Sequence, residues 1–137
     1  MFLISERNQK IIVISLTVIF IGLFFFLSEK EHNKLDKERK ENAKYTIGIT
    51  KGVDWVYKSS AVHIKYEYKI FIDTYTATDV KPSKLKVKKK GGYYIVEFSK
   101  KNRQNSKMLF DLGEIPPKKV KELFEYSIGF WDTIPAW

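Results

Sequence analysis

Residues 62–71 read VHIKYEYKIF, and the spacing of their side chains decides the fold class. Val62, Ile64, Tyr66, Tyr68 and Ile70 occupy one set of alternate positions, and His63, Lys65, Glu67 and Lys69 the other. Side chains of a strand point alternately to opposite faces, so this pattern describes one buried face and one wet face. His63 and Glu67 share the wet face. Four residues along a strand cover about 13 Å, too far for the pair to cooperate in catalysis. The stretch is therefore structural.

Strand-like segments continue on both sides. Upstream, YTIGIT (45–50) and VDWVYK (53–58) flank a Lys51-Gly52 turn signal. Downstream, DTYTATDV (73–80) continues the meander with β-branched residues. After Pro82, Leu85 and Val87 alternate with Lys84, Lys86 and Lys88, and Gly91-Gly92 marks a hairpin turn. YYIVEFS (93–99), a loop KKNRQN (100–105) and SKMLFDL (106–112) follow, before Pro116-Pro117 ends the sheet. KKVKELFEY (118–126) puts Val120, Leu123 and Phe124 on one helical face. The expected fold is mainly β: a small antiparallel meander or barrel-like domain of five to seven strands with one short C-terminal helix. Trp55, Tyr57, Tyr66, Tyr68, Phe98 and Phe110 are expected to point inward. Bulky aromatics of this kind help a small domain, which buries a modest share of its surface.

A different solvent governs the N-terminus. Residues 11–27 (IIVISLTVIFIGLFFFL) form an uncharged run of 17, flanked by a short tail at 1–10. As a helix the run spans roughly 25 Å, close to a bilayer's hydrocarbon core once flanking residues are added. It lacks the polar face of a core helix. Its end, FFFLSEK, lacks the small residues of a signal-peptide cleavage site. The expectation is an uncleaved single-pass transmembrane helix. Residues 28–44 (SEKEHNKLDKERKENAK) carry only Leu35 and Ala43 as apolar positions, alongside i,i+4 pairs such as Asp36/Lys40. They read as a charged stalk, leaving 45–137 as the soluble domain. Lysine and arginine counting favours a cytoplasmic domain. The interleaved acids, which leave this segment at a net charge of +1, and the short basic tail tip the balance to a periplasmic one.

The net charge of +9 is concentrated in residues 81–107, which hold ten cations and the single acid Glu97. Lys84, Lys86, Lys88, Lys89, Lys90, Lys100, Lys101 and Arg103 form the candidate basic patch, on a hairpin around Gly91-Gly92 and the loop after it. A solvated edge protected by lysine, an acidic or anionic-lipid partner, and nucleic acid are the three readings. A membrane anchor disfavours the last. The C-terminal Phe130, Trp131, Ile134 and Trp137 are candidate contacts with a partner, tryptophan being enriched at binding hot spots. The competing reading folds this aromatic tail onto the domain.

Recognisable catalytic chemistry is absent from the sequence. With no cysteine there is no thiol nucleophile, disulfide or thiolate metal site, and His32 and His63 lack metal-ligand spacing. No nucleophile elbow, phosphate loop or calcium loop occurs. Neither an enzyme nor a cofactor is expected.

The fragments YTIG, KYEYKI, GGYYIVEFSKKNRQNSK and WDTIP, following an apolar helix, resemble those of a widespread group of small bacterial proteins. These are anchored to a membrane by a helix or a lipid and carry one β-rich domain. The likeness runs over residues 45–112 and is most specific at 92–107. Where the group has an N-P-x-x-S loop, Asn102 and Ser106 match and Arg103 replaces the proline. The resemblance implies an anchored, non-catalytic domain and supplies no activity. The expected function is thus a membrane-anchored protein-interaction module, an accessory subunit of an envelope complex. The alternatives are an immunity-type protein that neutralises a toxin at the membrane, and a lipid-binding module using the basic 81–107 segment.

Overall fold

The computed structural model describes residues 5–55, 60–125 and 129–137. The chain divides into two compact units, Met1–Lys37 and Glu38–Trp137. The first unit belongs to one long helix, α1 (Glu6–Glu41), which is long and apolar enough to cross a membrane. Its large apolar side chains between positions 11 and 27 are all exposed, Phe20 most at 76%. A helix apolar all round is not shaped for the one-sided packing of a soluble domain.

The second unit opens with the last turn of α1 and continues, without a linker, into a five-stranded antiparallel sheet. Its strands are β1 (Ala43–Asp54), β2 (His63–Ile70), β3 (Asp73–Val80), β4 (Lys90–Ser99) and β5 (Ser106–Met108), in the spatial order β3-β2-β1-β4-β5. A 3₁₀ turn (Phe110–Leu112) and a second helix, α2 (Pro117–Glu125), follow. The sheet curls into a half-barrel. Ile64, Tyr66, Tyr68, Ile70, Tyr94, Val96, Phe98, Met108 and Phe110 fill one face as the main core. On the other face Ile47 and Ile95 pack with Ile115 and with Val120 of α2.

Curling brings the two edge strands close. The Met108 backbone N–H donates to Asp79 Oδ2 (2.8 Å), and Gln104 Nε2 donates to the Thr76 carbonyl (2.8 Å). Side chains thus link the edges where a closed barrel would use a backbone ladder, which also limits exposed strand edge. Tightness at the middle of the sheet depends on Gly48. A Cβ there would lie 2.7 Å from Val96 Cγ2, 3.0 Å from Met108 Cε and 3.1 Å from the Glu67 carbonyl.

Several elements differ from the sequence expectation. The Lys51-Gly52 signal is not a hairpin turn but a bulge inside one long strand, β1. The run through residue 72 is instead broken by a two-residue hairpin at Phe71 and Ile72, with Phe71 at φ 56°. Bulky side chains occupy a turn of the kind that usually selects glycine. Residues 84–88 are not a strand. Leu85 and Val87 nonetheless point inward and pack on the main core, so their alternation recorded burial rather than pairing. Gly91 and Gly92 lie within β4, where the Gly92 N–H donates to Thr50 Oγ1 (2.9 Å). The Lys88 backbone, held by Tyr94 and Thr50, comes too close for any Cβ at Gly92. Segment 106–112 is a three-residue strand followed by the 3₁₀ turn. Trp55, expected in the core, is 90% exposed because β1 ends at Asp54, just before it. Tyr57 and the rest of segment 56–59 lie outside the described residues, as does Tyr126.

Two substitutions test this packing. Gly48→Ala should lower stability by about 1–3 kcal/mol, the usual cost of overpacking a filled core, read as a lower denaturation midpoint of the full chain in detergent. Asp79 gives a pH signature. Burial holds its carboxyl above the ordinary 3.8, with the Met108 N–H and the Lys107 charge partly offsetting the rise. A folded-state value above the unfolded one stabilises at low pH, and that contribution is lost as pH rises through the folded value. Asp79→Asn should therefore gain stability relative to wild type as pH climbs from about 4 towards neutrality. A pH-independent difference would contradict the assignment.

Candidate functional site

The domain has two ends, defined by where α1 joins it. At the near end lie the start of β1, the close of β2, the start of β3 and the close of β4, fixed by the pairings Ala43 with Ser99 and Ile70 with Asp73. The far end holds the close of β1, the start of β2 and the start of β4, with Asp54 opposite His63 and Lys51 opposite Lys90.

This geometry divides the basic segment. Lys84, Lys86, Lys88, Lys89 and Lys90 are exposed at the far end, around the inward-pointing Leu85 and Val87. Lys100, Lys101 and Arg103 follow the close of β4 at the near end. β4, with ten residues, spans about 30 Å. The single patch expected from sequence is corrected to two separate clusters. What looked like a hairpin is a coil feeding a strand that carries the chain across the sheet.

Trp55, 90% exposed, lies at the far end too, just past the close of β1. One acid there, Asp54, accepts a hydrogen bond from Thr78 Oγ1 (3.2 Å); Asp79 and Glu114 lie towards this end too. His63 and Glu67 do occupy one face of β2. Among the described residues no three His, Cys, Asp or Glu side chains are grouped to hold a metal ion.

At the near end the exposed hairpin residues Phe71 (56%) and Ile72 (95%) project beside the cations. The Phe71 ring meets Phe130 edge-on (5.6 Å), and the Arg103 guanidinium lies 5.7 Å from its centroid. A cleft of about 390 Å³ opens there, lined by Ile70, Phe98 and Phe130 together with Lys44, Lys100, Arg103 and Asp132. Arg103 also pairs with Asp73 (3.7 Å). Lys44 donates to Asp132, and this bond and charge hold the Asp132 carboxyl below its ordinary range.

The C-terminal residues are likewise separated. Trp131 exchanges backbone hydrogen bonds with Tyr45 (2.9 and 2.7 Å) and packs against Phe124 of α2. Thr46 Oγ1 donates to the Gly129 carbonyl (2.8 Å), and Phe130 packs on Phe98 at the main core. Ile134 and Trp137 stay partly exposed, at 44% and 38%. Phe130 and Trp131 are thus tied into the domain, while Ile134 and Trp137 lie on its surface.

Arg39 is the buried ion-pairing residue the sequence hid. It lies in the segment read as a solvated stalk, yet it is 5% exposed. Its Nε donates to Glu97 Oε1 (3.0 Å) and its Nη1 to Asn105 Oδ1 (3.4 Å). One arginine among alternating charges carries no periodic signal. Phe71 and Ile72 were hidden because they extend the strand-like run past Ile70 with further apolar residues.

Comparison of the chain with protein-family models, with curated proteins and with solved structures finds no match. The surfaces themselves carry the functional argument.

Because Arg39 and Glu97 side chains are only 7% and 14% exposed, removing either takes away the opposite charge that the other meets in a largely buried setting. Glu97→Ala should cost about 3–5 kcal/mol, and Arg39→Met combined with Glu97→Met much less than that. Equilibrium unfolding of the single and double variants checks the difference.

Proposed function

We propose that the chain is a non-catalytic, single-pass membrane protein whose β domain binds an acidic protein surface through its far end, as an accessory subunit of a bacterial envelope complex. One observation carries the reading: a tryptophan exposed to 90% lies at the same end of the domain as five exposed lysines, the end away from where α1 joins it. Leaving so large an apolar side chain in water is unfavourable, and tryptophans of this kind dominate binding energy when a partner desolvates them. The cations at the same end favour an acidic partner and speed encounter with it. A helix apolar all round, exposed over 17 residues, supports the anchor. The resemblance drawn from YTIG and the 92–107 segment supports the bacterial setting. In this reading the tail with Arg7 and Lys10 stays in the cytoplasm and the domain is exported.

The test is affinity capture of the full chain from its native membranes in mild detergent, followed by charge reversal. Lys88→Glu, Lys89→Glu and Lys90→Glu together, or Trp55→Ala alone, should weaken a stoichiometric partner at least tenfold, since hot-spot truncations cost about 2 kcal/mol or more. Lys100→Glu with Lys101→Glu should leave it bound. A partner indifferent to the far-end changes, or no partner, contradicts the proposal.

A further inference from the structure

We infer that the near end of the domain is a docking surface for anionic lipid headgroups, with Phe71 and Ile72 as its interfacial tip. This rests on the reading of α1 as a membrane anchor. Three observations converge on one occupant. The tip is apolar and exposed, at 56% and 95%, and its Phe71 ring is held by Phe130 and Arg103, so that side chain loses little conformational freedom on insertion. The cleft beside it combines apolar lining from Ile70, Phe98 and Phe130 with Lys44, Lys100 and Arg103. A lipid headgroup presents the complementary arrangement, a phosphate joined to the start of an acyl chain. Finally, α1 joins the domain at this same end, and only ten residues separate Leu27 from Glu38. As helix they reach about 15 Å, of which the headgroup layer itself takes up roughly 5–7 Å. A tether this short lets the near end reach the headgroup layer, where charges act over about 8–10 Å at physiological salt.

Asp73 and Asp132 are exposed and offset Arg103 and Lys44, and Glu97 offsets the buried Arg39. Lys40, Lys69, Lys100 and Lys101, all exposed, outnumber the remaining acids at this end, Glu38 and Glu41. Each cation near an anionic surface is worth about a fivefold preference. The far-end lysines, about 30 Å away along β4, do not contribute.

The absence of cysteine makes site-directed labelling direct. The full chain, carrying Ile72→Cys or the far-end control Ser83→Cys with an environment-sensitive fluorophore, is reconstituted into phosphatidylcholine vesicles with or without 30% phosphatidylglycerol (about one lipid in three). Nitroxide lipids then report contact. In anionic vesicles the probe at position 72 should be quenched at least twofold more than in neutral ones, and the probe at position 83 not at all. High salt, or Lys100→Glu, Lys101→Glu and Arg103→Glu together, should abolish the difference. Equal quenching in both lipids overturns the headgroup preference. No quenching in vesicles that retain the chain after alkaline washing overturns the docking surface while leaving the anchor intact. Chain that washes off overturns the anchor itself.

Discussion

The buried ion pair between Arg39 and Glu97 fixes the direction of everything that follows it. α1 does not end in a linker. Asn42 turns its side-chain amide back to the Glu38 carbonyl (2.9 Å), satisfying an acceptor that a helix terminus otherwise leaves open, and its own carbonyl accepts from the Lys100 N–H (2.9 Å). The chain enters β1 at the next residue. With Arg39 held by Glu97 and Asn105, the helix end is part of the domain, and the near and far ends have distinct neighbours. A pair this buried adds little net stability over an apolar substitute, but leaving it half-made is costly. Its contribution is to geometry.

From that constraint the surface follows. β4 starts at the far end and closes at the near end, so it carries the basic segment across the sheet. Lysines adjacent in sequence therefore serve opposite ends, and the two exposed apolar groups, Trp55 and the Phe71–Ile72 tip, fall one to each. Each end of the half-barrel also has its own filling, Leu85 and Val87 at one and Phe130 at the other. The proposed roles, a protein partner at the far end and a lipid surface at the near end, use these two chemistries separately.

The sequence was informative wherever burial alternates. Ile64, Tyr66, Tyr68 and Ile70 point into the core as VHIKYEYKIF suggested, and the amphipathic stripe of α2 buries Val120 as its spacing implied. Boundaries were harder, because alternation reports which side chains are buried and says nothing of hydrogen bonding. Leu85 and Val87 alternate without a strand, and Phe71 and Ile72 continue an apolar run through a turn. Lys51-Gly52 and Gly91-Gly92 carry turn residues, yet the positive φ at Gly52 and Gly91 serves a bulged ladder. The candidate site was least legible. A charge cluster along the chain becomes a cluster in space only if the chain folds back between the charges, and residues 90–99 run across the sheet between the two lysine groups instead.

That last point admits a direct measurement: the distance between spin labels at Lys89→Cys and Lys100→Cys in the full chain, by pulsed electron paramagnetic resonance. An extended β4 joining the two ends predicts a narrow distribution near about 30 Å. A distribution centred below roughly 20 Å, as a hairpin folded at Gly91-Gly92 would give, would contradict the two-ended account.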